Sequence, residues 1–297
     1  MNYDFDRLML LAIAAAVRAG REILKVYKKP FGVEKKKDNS PVTVADRNAH
    51  RVINDALAAA FPHIPVLSEE GSDIRYEERK RWDLFWLVDP LDGTKDFIKK
   101  NGEFTVNIAL VRGAAPLLGV VYIPCSDTIY IGMDGRGAFK VAAVSNYFHR
   151  NGQIGEAVSE LILGGSAPLP LSMKEKREKL VIVKSRSHSG VETERCIEKL
   201  LELYGGSSVI AAGSSIKLCL LAEGSADVYP RIGPTMEWDT AAGHAVLRCS
   251  GGDVLRTDNW SPLAYNKEDL RNPSFVAVGS SIEEMKKLLK SICTEGV

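Results

Sequence analysis

The sequence predicts an α/β protein of the layered α+β sandwich type, made of two parts. Two amphipathic helical patterns open the chain, a run of strands follows them, and the segments beyond about residue 179 alternate between strand and helix. Between these regimes, residues 146–179 include "GGSAPLPLSMKEKREK", with the Gly, Pro and charge content of a linker. The expected division is an N-terminal α+β part over residues 1–172 and a C-terminal α/β part over residues 173–297.

The first helix is marked by Phe5, Leu8, Ala12, Ala15, Ala19, Ile23 and Val26, which recur at three- and four-residue steps and make one buried face. Asp4, Asp6 and Arg7 before the apolar run, with Arg18, Arg21 and Glu22 after it, argue against a signal peptide. No window reaches the roughly 18 to 20 uncharged apolar residues that a bilayer span needs. A cytoplasmic location is expected, with room for a loosely attached pool at the inner face of the cell membrane. A basic hinge, "KKPFGVEKKKDNSPVT", leads to a second helix over about 44–60 with Ala49, Ile53, Ala56, Leu57 and Ala60 on its apolar side. "TVAD" reads as a capping box in which Thr43 starts that helix.

Strands then crowd together. "IPVLSEEG" is a short strand ending in two glutamates, and "DLFWLVD", "FTVNIALV", "PLLGVVYIP", "TIYIGM" and "GAFKVAAV" follow, separated by Gly, Pro, Asn and Asp turns. Trp82, Phe85 and Trp86 read as core residues, and "AAVSNYFHRNG" as a strand and turn. In the second part the expected strands are "KLVIVKSRS", "SVIAAG", "ADVYP" and "FVAVG". The helices between and after them are "VETERCIEKLLELYG", "SIKLCLLAEG", "TAAGHAVLRCSG" and "SIEEMKKLLKSI".

A net charge of +1 leaves no basic footprint for a nucleic acid, so a small-molecule partner is expected. The 5 cysteines are dispersed without a CxxC, which suits reduced thiols and excludes a zinc cluster or disulfide framework. Cys196 falls in step with Leu200 and Leu203 on a helix face.

The chemistry lies where apolar segments end in acids: Glu69 and Glu70 after "IPVL", Asp89 and Asp92 after "LFWLV", and Asp239 in "MEWDTAAGHAVL". Charge at the mouth of a buried strand is costly unless a cation neutralises it. Oxygen ligands without His or Cys favour Mg²⁺. In "DPLDGT", Pro90 fixes the turn, the Leu91 carbonyl can face a metal, and Gly93 lets the backbone approach an anion. A helix starting near Gly93 and Thr94 would offer free amides to a phosphate oxygen. An Asp before Gly-Thr is ordinarily a turn or cap residue. The five fixed letters of D-P-x-D-G-T, however, arise by chance in a chain this long only about 2 times in 10,000 at ordinary composition frequencies.

At these residues the chain resembles the inositol monophosphatase superfamily of Mg²⁺-dependent, lithium-sensitive phosphatases. "SEEG" is similar to that family's Glu-Glu element, "DPLDGTKDF" to its central metal motif and "EWDTAAGHAVL" to its Trp-Asp element. The resemblance implies the inositol monophosphatase-like, sugar phosphatase fold, a layered α/β sandwich. It makes Glu69, Asp89 and the Leu91 carbonyl ligands of a first Mg²⁺, with Asp92 and Asp239 joining a second. Thr94, paired with Asp46, and Glu69 would orient the attacking water, and Glu70 would be an outer-shell or third-metal acid. Two or three ions would serve an in-line displacement without a phosphoenzyme.

"VKSRSH" and "GSSIK" are similar to elements of the 3'(2'),5'-bisphosphate nucleotidase (CysQ-type) branch, which implies that His188, Ser214 and Lys217 contact the substrate along with Asp92, Gly93, Thr94 and Asp239. Inositol monophosphatases carry an acid near the position of Arg231. A guanidinium there would instead hold a second phosphate by charge-assisted contacts. The expected substrate is adenosine 3',5'-bisphosphate, with its 5'-phosphosulfate analogue as a further one and sulfur assimilation as the setting. The alternatives are an inositol mono- or polyphosphate phosphatase and a catalytically silent nucleotide sensor.

Overall fold

The computed structural model describes residues 3–35, 41–71, 73–150, 166–171, 179–187, 190–279 and 289. Helix α1 (Phe5–Tyr27) starts where the Asp4 carboxylate accepts the Arg7 amide, and buries Leu8, Ala12, Ala15, Ala19 and Ile23. A short hairpin, β1 (Glu34–Lys35) and β2 (Pro41–Val42), leads to α2 (Val44–Ala60). Its capping box is present as the sequence predicts: the Thr43 amide and hydroxyl both donate to Asp46 Oδ2 at 2.7 Å.

Next come β3 (Val66–Ser68), a single 3₁₀ turn over Glu69–Gly71, α3 (Tyr76–Arg79), β4 (Leu84–Asp92) and α4 (Thr94–Ile98). The meander β5 (Thr105–Arg112), β6 (Ala115–Ile123), β7 (Thr128–Met133) and β8 (Gly137–Ala142) follows, then α5 (Ser145–Arg150) and β9 (Ala167–Pro168). Strands β3 to β9 form a seven-stranded sheet in chain order. β3 and β4 are parallel, and every later neighbour is antiparallel.

The second part contains β10 (Val181–Ser185), α6 (Val191–Leu203), β11 (Ser208–Ala212), α7 (Ile216–Ala222), β12 (Val228–Arg231), α8 (Glu237–Cys249), β13 (Asp253–Arg256) and β14 (Phe275–Val278). Its five-stranded sheet runs β11-β10-β12-β14-β13.

Period-two alternation assigns the faces. Along β4, Leu84, Trp86 and Val88 pack with α1 and α2, whereas Phe85 and Leu87 face a second core. That second core contains Leu218 and Leu221 of α7, Trp238 and Val246 of α8, and Val183, Tyr229 and Phe275 of the other sheet. Cys196, Ile197 and Leu200 of α6 cover that sheet's far side. The layers therefore run helix, sheet, helix, sheet, helix, the expected sandwich. α8 lies close against the first sheet because Gly119 and Gly132 leave it room: a Cβ on Gly119 would sit 2.1 Å from the Ala242 carbonyl oxygen, and one on Gly132 would sit 2.5 Å from the Val246 Cα.

Some expectations are corrected. "SNYFHR" forms α5 rather than a turn, because the Asp127 carboxylate, reaching from the β6–β7 loop, accepts the Ser145 amide and hydroxyl. Leu203 is 59% exposed at the end of α6, off the face that buries Cys196 and Leu200. The helix expected over 281–292 lies outside the described residues apart from Leu289, which is buried. Cys125, Cys196, Cys219 and Cys249 are free thiols, and no helix among the described residues is long and apolar enough to cross a membrane.

Candidate active site

β4 carries the central motif to the sheet's edge. Its pairing with β5 is regular up to Asp89, opposite Asn107, then slips before Asp92 meets Thr105. Pro90 and Leu91 fall in this slip, where a residue without an amide hydrogen costs no ladder bond. The Leu91 amide donates back to Asp89 Oδ1 at 3.0 Å, which fixes that carboxylate in the bend. Gly93 then takes a left-handed backbone (φ 88°) and caps α4. A side chain there would be strained and would stand 3.1 Å from the Glu103 carbonyl oxygen.

Asp239 enters from the other half of the molecule on the first turn of α8, where its Oδ2 accepts the Met236 amide at 2.8 Å. Asp89, Asp92 and Asp239 each bring a carboxylate oxygen to within 4.8 Å of the others. Burial pushes the Asp89 carboxyl well above its ordinary value, and the charges of Glu69, Asp92 and Asp239 push it further. Burial does the same to Asp239, with Asp92 next in effect. Such crowding is unfavourable for ionised acids unless a cation sits among them. The donor set is oxygen only, which suits a hard divalent ion. These residues fit a divalent-metal site.

The water-activating pair of the sequence reading is also brought together. Asp46 is 3% exposed, and while its Oδ2 is held by Thr43, its Oδ1 accepts the Thr94 hydroxyl at 3.2 Å. Burial is the chief cause that raises the Asp46 carboxyl. Glu69, on the 3₁₀ turn after β3, hydrogen-bonds Asp89 and lines the same cleft. Glu70 stands beside it, within electrostatic reach of Asp46 and His50.

The cleft has a volume of about 770 Å³, and Leu91, Gly93, Thr94, Ser214, Lys217 and Arg231 also line it. Lys217 is 7% exposed; its ammonium donates to the Ser214 and Ala212 carbonyls and lies over the Tyr229 ring. Its pKa is lowered to about 8, chiefly by burial and also by Arg231, against the opposing charge of Asp92. Arg231, at the end of β12, donates to the Pro234 carbonyl at 3.0 Å. His188 lies outside the described residues. Trp82, Phe85 and Trp86 belong to the cores, as expected.

Sequence reasoning missed what holds Asp92, naming Ser214 only as a substrate contact and Asn107 and Ser215 not at all. Its Oδ2 accepts the Ser214 hydroxyl (2.7 Å), the Ser215 amide (2.8 Å), the Ser215 hydroxyl (2.9 Å) and the Asn107 amide group (3.2 Å). Asn107 was discoverable, as a polar residue in the middle of the apolar run "FTVNIALV" that is 1% exposed in the fold. Ser215 carried no such signal.

Residues 4–295 match the family described as the inositol monophosphatase family. The chain is 44% identical over 265 residues to the 3'(2'),5'-bisphosphate nucleotidase CysQ of Shigella flexneri, covering 88% of this chain and 95% of that protein. Against the protein of the same name from Escherichia coli (strain K12) the identity is 42% over the same shares. The crystal structure of CysQ from Bacteroides thetaiotaomicron superposes with a TM-score of 0.82 at 45% identity, covering 94% of this chain and 99% of that one. An inositol monophosphatase from Thermotoga maritima shares the fold, with a TM-score of 0.70 at 22% identity, covering 95% of this chain and 96% of that one.

Proposed function

Because this chain belongs to the inositol monophosphatase family, we propose that it is a Mg²⁺-dependent 3'(2'),5'-bisphosphate nucleotidase. It removes the 3'-phosphate of adenosine 3',5'-bisphosphate and releases AMP and phosphate. The observation that carries the reading is that one cleft is lined both by the Asp89, Asp92 and Asp239 cluster and by the cations Lys217 and Arg231. A divalent-cation site next to fixed positive charge suits a substrate with two phosphates, one to be cut and one to be held.

In this reading Glu69, Asp89, the Leu91 carbonyl, Asp92 and Asp239 hold two or three Mg²⁺. Bound there, the ions supply a more acidic water and neutralise charge on the phosphoryl and leaving oxygens. The Thr94 hydroxyl, its hydrogen directed to Asp46, keeps a lone pair to accept a hydrogen bond from the attacking water and so orients it. Glu69 orients that water from the other side, and the first amides of α4, from Gly93 and Thr94, receive a phosphate oxygen. His188, Ser214, Lys217 and Arg231 hold the remaining phosphate and ribose. Residues 1–172 thus carry the reacting groups other than Asp239, and residues 173–297 carry substrate choice.

Phosphate release from adenosine 3',5'-bisphosphate and from inositol 1-phosphate, each with and without Mg²⁺, tests this. The reading predicts Mg²⁺-dependent turnover and a kcat/KM at least about tenfold higher for the nucleotide, a difference worth about 1.4 kcal/mol. Equal or reversed efficiency would rule the substrate out. Tight nucleotide binding without turnover would point to a silent sensor.

A further inference from the structure

We propose that Ser215 is a positioning residue that aims Asp92 at the metal site; the inference rests on the reading of Asp92 as a metal ligand. Ser215 stands directly before α7 and is 3% exposed. Its amide and hydroxyl both donate to a single oxygen, Asp92 Oδ2. The hydroxyl oxygen accepts the Asn107 side-chain amide at 2.8 Å and lies 2.8 Å from the Asp239 carbonyl oxygen. Ser215 therefore touches the strand opposite Asp92, Asp92 itself and the backbone of Asp239.

A hydroxyl has one hydrogen. Of its two acceptors the carboxylate is the stronger, because a charged acceptor makes the shorter and tighter bond. With the Ser214 hydroxyl and Asn107 donating to the same atom, Oδ2 is saturated and Oδ1 is left for the cation cluster. The rotation of the Asp92 carboxylate about its terminal bond, broad for an unrestrained aspartate, is thereby fixed. Three of the four donors, the Ser214 hydroxyl and the Ser215 amide and hydroxyl, come from the second half of the molecule, although Asp92 lies in the first. Asp92 and Asp239 enter the cluster from different halves, and Ser215 ties both to one loop.

The test is Mn²⁺ binding to the whole chain without substrate, followed by electron paramagnetic resonance. It reads the cluster independently of which ester is cleaved. Removing an outer hydrogen-bond partner of a metal ligand costs about 10- to 100-fold in metal affinity. Ser215→Ala should weaken Mn²⁺ binding by about tenfold, the lower end, because three donors to Asp92 remain. The effect should pass through Asp92, so in an Asp92→Asn background the same substitution should shift affinity by less than about twofold, the pair being coupled. Ser215→Thr, which retains the hydroxyl, should restore binding.

Unchanged Mn²⁺ affinity in a folded Ser215→Ala chain, or an equal loss in the Asp92→Asn background, would overturn the proposal. If Ser215→Ala does not fold, Ser215→Cys, which fills the same space with a weaker donor, is read by the same two criteria. A chain that loses Mn²⁺ as described yet cleaves no adenosine bisphosphate would leave this inference standing and overturn the substrate.

Discussion

Asp89, Asp92 and Asp239 are single residues whose carboxylates repel one another until a cation arrives. Asp89 is buried against Glu69, Asp92 and Asp239, and its pKa is raised above the ordinary 3.8. A native acid with a raised pKa binds protons that the unfolded chain has released. The metal-free protein therefore loses stability as pH climbs above the unfolded value and through the folded one. Divalent cations bind the ionised form, so the rise in melting temperature on adding Mg²⁺ should be larger at pH 8 than at pH 5.5. Thermal melts at the two pH values check this, and an equal or smaller shift at pH 8 contradicts it.

Asp89→Asn separates the two consequences of that crowding. It keeps an oxygen for the Leu91 amide and removes one charge. We predict that it stabilises the metal-free protein, because it removes a buried charge that Glu69, Asp92 and Asp239 oppose. The same change should lower kcat by more than the roughly 100-fold that losing an outer partner costs. Denaturant melts and turnover measurements read the two signs separately.

Among the elements, α8 matters most, since it delivers Asp239 across the layers. Its seat depends on glycines opposite it, where a Cβ on Gly119 would come within 2.1 Å of the Ala242 carbonyl oxygen. Backbone cannot swing away as a side chain can. Gly119→Ala should therefore displace α8, cost about 1–3 kcal/mol as overpacking does, and weaken Mn²⁺ binding although residue 119 never meets the ion. Loss of stability with unchanged affinity would show that Asp239 does not depend on that seat.

Elements with a strong local signal were legible in the sequence. The three- and four-residue recurrence in α1, the capping box of α2 and the turn-bounded apolar runs of β4 to β7 were read where the structure has them. β13 was not, because "DVLR" is four residues behind a Gly pair and becomes a strand only by pairing with β14. α5 was misread for a related reason: its cap is Asp127, which the fold supplies from another loop. In the candidate site the acids were legible because charge at the end of an apolar strand is anomalous. Ser214 was read only as a substrate contact and Ser215 not at all as a partner of Asp92, since a serine in a loop is unremarkable until its acceptor is known.

For the molecule as a whole, the cleft is lined by residues from both sheet-bearing halves. Asp89, Asp92 and Thr94 come from the seven-stranded sheet and the turn after it, whereas Lys217 and Arg231 belong to the other half. Glu103 fastens the halves together, accepting the Gly213 amide at 2.7 Å and the Arg186 guanidinium at 2.6 and 2.7 Å. Substrate choice and metal binding should therefore be separable. Replacing Arg231 with Met should raise KM for adenosine 3',5'-bisphosphate by about 10- to 100-fold, as expected for a charged hydrogen bond worth about 1.5–3 kcal/mol. Mn²⁺ affinity should stay unchanged. An equal loss for inositol 1-phosphate would place Arg231 outside substrate choice.

The most direct measurement is anomalous scattering from a crystal of this protein soaked in Mn²⁺. Peaks are expected among Asp89, Asp92 and Asp239, with Glu69 at the rim. A map with no ion between those side chains, or with Asp239 turned away from the Asp89 and Asp92 bend, would contradict it.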